Sequence, residues 1–168
     1  MPHTIEPLAD RELIDFGDLP EAINNLLQRG VAAYRNDPSV ADSLFRQALA
    51  LAPQQLPIYY CLYKIHTYQG NLDQALVVAE AGFEEAARQA GLSADYRSWL
   101  WPSAFPGDAE RFALYTLKAL AFIHLRRSER DKAFRILTEL SRLDPSGTVG
   151  WRVVADLAHG LGSACLGG

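Results

Sequence analysis

From residue 19 onward the apolar positions recur with the period of a helix. Leu44, Phe45, Ala48, Leu49 and Leu51 fall on one such stripe, and Leu114, Leu117, Leu120, Ala121 and His124 on another. No stretch alternates apolar and polar residues for long enough to make a strand. Breakers separate the periodic segments: Asn36-Asp37-Pro38, Gln69-Gly70-Asn71 and Asp144-Pro145-Ser146-Gly147. Asp18 followed by Glu21, with Pro20 between them, reads as an N-cap with its capping-box partner and a proline in the first turn. The pattern predicts helices near 19–35, 39–52, 56–69, 72–90, 108–127, 129–143 and 148–160, with a short helical turn near 94–100. The expected fold class is all-α.

The helix pairs repeat. Ala41, Phe45, Ala48 and Pro53 follow one turn, Gly70 and Ala75 follow the next, and Ala75 lies 34 residues after Ala41. A third unit carries Ala133 and Asp144-Pro145, with Ala133 58 residues after Ala75, one repeat plus a 24-residue insertion. The same spacing places Trp151 at the start of a fourth unit.

At these residues the chain resembles the tetratricopeptide repeat family, whose unit reads W-x2-L-G-x2-Y, then A-x3-F, then P. The unit around 22–55 supplies Ala41-x3-Phe45, Ala48 and Pro53, with Gly30 standing for the family glycine. The unit around 56–89 keeps Leu62, Gly70 and Ala75, but has Tyr63 where a small residue belongs and Ala79 where an aromatic belongs. The unit around 114–147 keeps Leu120, Ala121, Ala133 and Pro145, with Leu137 for the aromatic. The resemblance covers about 110 of the 168 residues. It implies a right-handed superhelix of antiparallel helix pairs, an α-solenoid in which neighbouring pairs bury one another's apolar faces. The division it suggests is an acidic arm (1–17), a single domain (18–160) with an aromatic-rich insertion near 88–111, and a flexible Gly-rich tail (161–168).

The resemblance further implies that the first helix of each unit lines a concave surface. In the second unit Leu62, Ile65 and His66 form the stripe facing the stack, leaving Tyr60, Lys64, Thr67 and Tyr68 on the other. In the third, Tyr115, Lys118, Phe122, Leu125 and Arg126 make the free stripe; the first unit contributes Leu27, Val31, Tyr34 and Arg35, and the last helix Val149 and Arg152. In the three full units this face carries bases and no acid, although acids outnumber bases in the chain, 20 to 16. Cations beside aromatic stems suit an extended or helical peptide bearing acidic groups; the plainer alternative is that long basic residues solvate an exposed face. One tetratricopeptide subclass clamps a chaperone's terminal carboxylate with a Lys-Asn-Asn-Lys-Arg set. Lys118 matches one clamp lysine, but Phe122 stands where an asparagine belongs, so that partner is not expected.

Two segments stand outside the repeats. Residues 1–21 hold Glu6, Asp10, Glu12, Asp15, Asp18 and Glu21 against one base, Arg11. Such an arm is either a solvated extension or a segment that folds back into the basic groove until a partner displaces it. The insertion carries Tyr96, Trp99, Trp101 and Phe105 among prolines. It is a candidate second interface, or else a plug packing its rings on the helix over 72–90.

Composition narrows the function. At 49% hydrophobic and 21% charged the chain is globular, and a net charge of −4 argues against a bulk nucleic-acid binder. No apolar run reaches bilayer-spanning length, and the first residues carry no secretory signal. Cys61 and Cys165 make no disulfide framework, so a reducing cytoplasm is expected. His66 and His124 hold equivalent positions, but packed histidines are expected there rather than a metal site. The run 126–132 mixes bases with acids, and the Gly-rich tail lacks the Gly-Lys-Ser/Thr of a phosphate loop. Nothing suggests catalysis or a cofactor. The expectation is a non-catalytic adaptor or chaperone-like module that binds a protein or peptide. Its rivals are a substrate chaperone of the bacterial type III secretion kind, whose plain three-repeat layout the insertion breaks, and a structural subunit docking through Trp99 and Trp101.

Overall fold

A computed structural model of the chain describes residues 14–100 and 107–167, with side chains described up to residue 160. Among the described residues there are seven α-helices and no strand. They are α1 (Glu21–Tyr34), α2 (Pro38–Leu51), α3 (Leu56–Gln69), α4 (Leu72–Ala90), α5 (Asp108–Arg126), α6 (Arg130–Leu143) and α7 (Trp151–Gly167). A 3-10 turn, Tyr96–Ser98, lies between α4 and α5.

Local chemistry sets most of the boundaries. Asp37 caps α2 by accepting from the Ser39 and Val40 N–H groups, and Pro38 fills the first turn, where its missing N–H costs nothing. Gly70 and Gly91 close α3 and α4 with φ of 78° and 71°, the left-handed conformation in which side chains are strained. Before α5 the Glu110 carboxylate reaches back to accept from the Gly107 N–H.

The first helix begins differently from the expectation. No Asp18 capping box forms; Pro20 occupies the N-cap place with ψ 141°, and α1 starts at Glu21. A residue before proline is held out of the helical region, so Leu19 cannot continue a helix back to Asp18. The last helix also shifts. Gly147 and Gly150 both have positive φ, so α7 starts at Trp151 rather than 148, and its backbone stays helical through 161–167, the segment expected as a tail.

Each helix packs on the next in sequence, and α1, α3, α5 and α7 also touch one another in that order. The small residues of the repeat lie where this packing is closest. Ala41, Ala75 and Ala133 are fully buried, as are Ala48, Ala79 and Ala121. At Gly30 in α1 and Gly82 in α4, an added Cβ would come within 2.3 Å of the Phe45 ring and 2.8 Å of Tyr59. The core runs without interruption from Ile23 to Ala158.

The described part of the insertion packs as a plug on α4. Trp99, 3% exposed, stacks on Phe83 with ring centroids 5.6 Å apart, and Tyr96 meets the same ring edge-on at 5.8 Å. The Trp99 indole donates to the Ser93 carbonyl (2.7 Å), while Arg142 of α6 donates to the carbonyls of Trp99 (2.7 Å) and Tyr96 (3.3 Å). Trp99 is therefore core rather than an exposed interface ring. Trp101 and Phe105 lie outside the described residues, as do residues 1–13 of the acidic arm.

Candidate functional site: a basic aromatic groove

Six of the expected groove residues line one cavity of about 420 Å³: Tyr60, Lys64 and Tyr68 from α3, and Tyr115, Lys118 and Phe122 from α5. Tyr63, Thr67 and Ala119 form its floor, and Val153 of α7 closes one side. The helical period explains the grouping. Residues four apart share a face, so Tyr60, Lys64 and Tyr68 ascend α3 as Tyr115, Lys118 and Phe122 ascend α5 beside it.

The two lysines occupy the middle. Lys64 donates to the Tyr60 hydroxyl (2.7 Å) and sits 5.0 Å from the Tyr60 ring centroid and 5.6 Å from that of Tyr68. Lys118 lies 4.4 Å from the Tyr115 ring centroid. At the upper end Arg126 stands over Phe122, 5.9 Å from its centroid. No carboxylate lines this cavity. Burial, joined by repulsion from Lys64, pulls the Lys118 ammonium below the usual lysine range. Burial is the largest single influence on Lys64 too, but the Tyr60 and Tyr68 hydroxyls together outweigh it and its pKa ends above the usual value. Two ammonium groups thus share one half-buried space without a counter-charge.

A second cavity, about 440 Å³, continues the first toward the N-terminal ends of the same helices and shares Tyr60, Tyr63 and Tyr115 with it. Its far wall is Pro57, Asp108, Arg111 and Phe112, together with Ile14, Asp15 and Phe16 from the segment before α1. The two cavities form one groove running along α3 and α5.

Four residues of the expected free face are instead core: Leu27, Thr67, Leu125 and Val149 are all under 9% exposed. Thr67 bends inward to give its hydroxyl to the Tyr63 carbonyl (2.6 Å). Arg152 spends its guanidinium on the carbonyls of Pro145 (2.8 Å) and Ser146 (3.0 Å), fastening the turn before α7. Tyr34 and Arg35, at the end of α1, do not line either cavity. Conversely, Tyr63 and Ala119 of the groove wall were expected nowhere, although Tyr63, a large ring at a small-residue position, was the available signal.

His66 and His124 are both engaged by carboxylates. His66 bonds Asp42 of α2 (2.7 Å) and His124 bonds Glu129 (2.9 Å), each tying a helix to its neighbour or turn. Among the described residues no group of three or more metal-ligating side chains converges. Burial drives the Cys61 thiol up to about 12, which leaves it unreactive at neutral pH. No helix of the described residues is long and apolar enough to cross a membrane. Comparison with protein-family models, with curated proteins and with solved structures finds no match for the chain.

Proposed function

We propose that the chain is a non-catalytic, tetratricopeptide-like interaction module, an adaptor or chaperone-like protein whose groove between α3 and α5 takes an acidic peptide segment. The observation that carries this is the juxtaposition of Lys64 and Lys118 inside a ring of aromatic side chains with no lining carboxylate. A ligand carboxylate placed there removes the mutual repulsion of the lysines, while Tyr60, Tyr68, Tyr115 and Phe122 supply apolar area. The order in which α1, α3, α5 and α7 touch supports the helix-pair repeat, because these are the first helices of the successive units. The rival reading, a permanent subunit docking through Trp99 and Trp101, loses support from the burial of Trp99.

The test is fluorescence anisotropy with labelled peptides of equal length, one acidic, one neutral and one basic. The acidic peptide should bind best. Lys64→Met and Lys118→Met, which keep the apolar stem and remove the charge, should each weaken it about tenfold, equivalent to about 1.4 kcal/mol. Equal binding of all three peptides, or indifference to both substitutions, rejects the groove.

A further inference from the structure

We infer that the groove's resident occupant is the chain's own acidic arm, with Glu12 and Asp10 reaching Lys64, Lys118 and Arg126. The inference rests on the groove reading above and adds the identity of one ligand. It starts from the last described residues of the arm. The side-chain amide of Gln28, on α1, donates to the Ile14 carbonyl (2.7 Å) and accepts from the Ile14 N–H (3.1 Å). One side chain thus holds both main-chain groups of Ile14, the way a neighbouring strand would. Two residues on, Phe16 packs half-buried beside Pro57 and Phe112 at the groove's lower end.

These anchors give the arm a direction. Between Leu19 and Ile14 the chain passes from the N-terminal ends of α3 and α5 up to the level of Gln28, Tyr60 and Tyr115. It therefore runs into the lower end of the groove, antiparallel to α1, and a chain continued in the same direction from Ile14 would climb the groove. An extended chain climbs about 3.3 Å per residue and a helix about 1.5 Å, so two arm residues match one helical turn. Counting from Ile14 beside Tyr60, Glu12 comes level with Lys64 and Lys118. Asp10 comes level with Tyr68 and Phe122, below Arg126. On this register Glu12 would meet the two level lysines and Asp10 would approach Arg126, and no acid lines the wall of the upper cavity to compete for them.

The composition makes this directly testable. The chain has three lysines, Lys64, Lys118 and Lys132, and two are in the groove. A zero-length carbodiimide, which joins a carboxylate to an amine only where they touch, is applied to the full-length protein at low salt, and the linked residues are mapped by mass spectrometry. Equal amounts of unlabelled and 15N-labelled chain are mixed beforehand. Lys132, whose ammonium lies 3.4 Å from Glu129, is the internal control.

The expected result is a link from Glu12 or Asp10 to Lys64 or Lys118 within single chains. It should fall severalfold in 0.5 M salt, where charges are screened beyond a few Å, while the Lys132 link persists. In the Glu12→Gln, Asp10→Asn variant the acidic peptide should bind about tenfold more tightly, as for an arm covering the groove nine-tenths of the time. Links joining light and heavy chains would instead assign the groove to a second copy and overturn the inference. Absence of arm links while the added acidic peptide couples to Lys64 or Lys118 overturns the arm and leaves the groove standing. If neither couples and Lys132 does, both readings fall.

Discussion

Gly30 shows how a single missing side chain can matter more than helix propensity. It sits inside α1, where alanine is favoured over glycine by about 1 kcal/mol. Yet a Cβ there would stand 2.3 Å from the Phe45 ring, and the ring is 1% exposed with nowhere to retreat. The steric term should win. Gly30→Ala is expected to destabilise the protein by about 1–3 kcal/mol, read as a lower urea midpoint with an unchanged slope. Adding Phe45→Leu to Gly30→Ala should recover part of the loss, since the smaller side chain vacates the contact. A raised midpoint for Gly30→Ala alone would mean that α1 and α2 are not this close. Between α3 and α4 the roles are reversed, with Gly82 on the later helix admitting the Tyr59 ring of the earlier one.

At the scale of elements, the turn between α5 and α6 concentrates the charge chemistry. Glu129 accepts from Arg127 (2.8 Å) and pairs with His124 and Lys132, and Arg127 in turn bonds Asp73 at the start of α4. The Arg127 guanidinium first, and His124 next, hold the Glu129 carboxyl down to about 2, against an ordinary value of 4.5. A carboxyl depressed on folding stabilises the native state above its unfolded pKa, and that contribution disappears as pH falls through the folded one. The melting temperature of the native protein should therefore exceed that of Glu129→Gln at pH 6. The gap should narrow below pH 4.5 and close near pH 2; a gap independent of pH would exclude the ionised carboxylate as its source.

The same scale shows what could be read in advance. α3 and α4 run over the expected residues because Gly70 and Gly91 mark their ends by a backbone conformation that composition announces. The starts of α1 and α7 were less legible, since a proline-restricted Leu19 and two glycines at 147 and 150 override nearby capping signals. Lys64 and Lys118 could be assigned to one face from periodicity alone. Leu125 and Thr67 could not, because a helical stripe has edges, and which edge is covered depends on the tilt of the neighbouring helix. The hold of Gln28 on Ile14 and the Phe83–Trp99 stack join residues 14 and 16 positions apart across a loop, contacts that no period encodes.

Across the whole molecule the helices divide into two sets with separate work. α1, α3, α5 and α7 touch in series, and α3, α5 and Val153 of α7 line the groove, whereas α4 and α6 hold the insertion on their own side through Phe83 and Arg142. α4 has 19 residues to the 14 of α2 and α6; Phe83 stands near the end of its first 14, and the added length is the last turn, Ala86–Ala90. Without the plug, Phe83 would face water. Arg142 is the clasp, since its guanidinium binds plug carbonyls while Glu139 holds it from below at 2.7 Å. Arg142→Ala should therefore loosen Trp99 without touching the groove. The expected signs are red-shifted tryptophan emission, faster protease cleavage between residues 91 and 107, and a stability loss of about 1–3 kcal/mol, that of hydrogen bonds to a charged group. Affinity for the acidic peptide should stay within twofold. Were that affinity to fall in step with the emission shift, the two helix sets would be coupled, and the plug would belong to the binding machinery rather than to the support behind it.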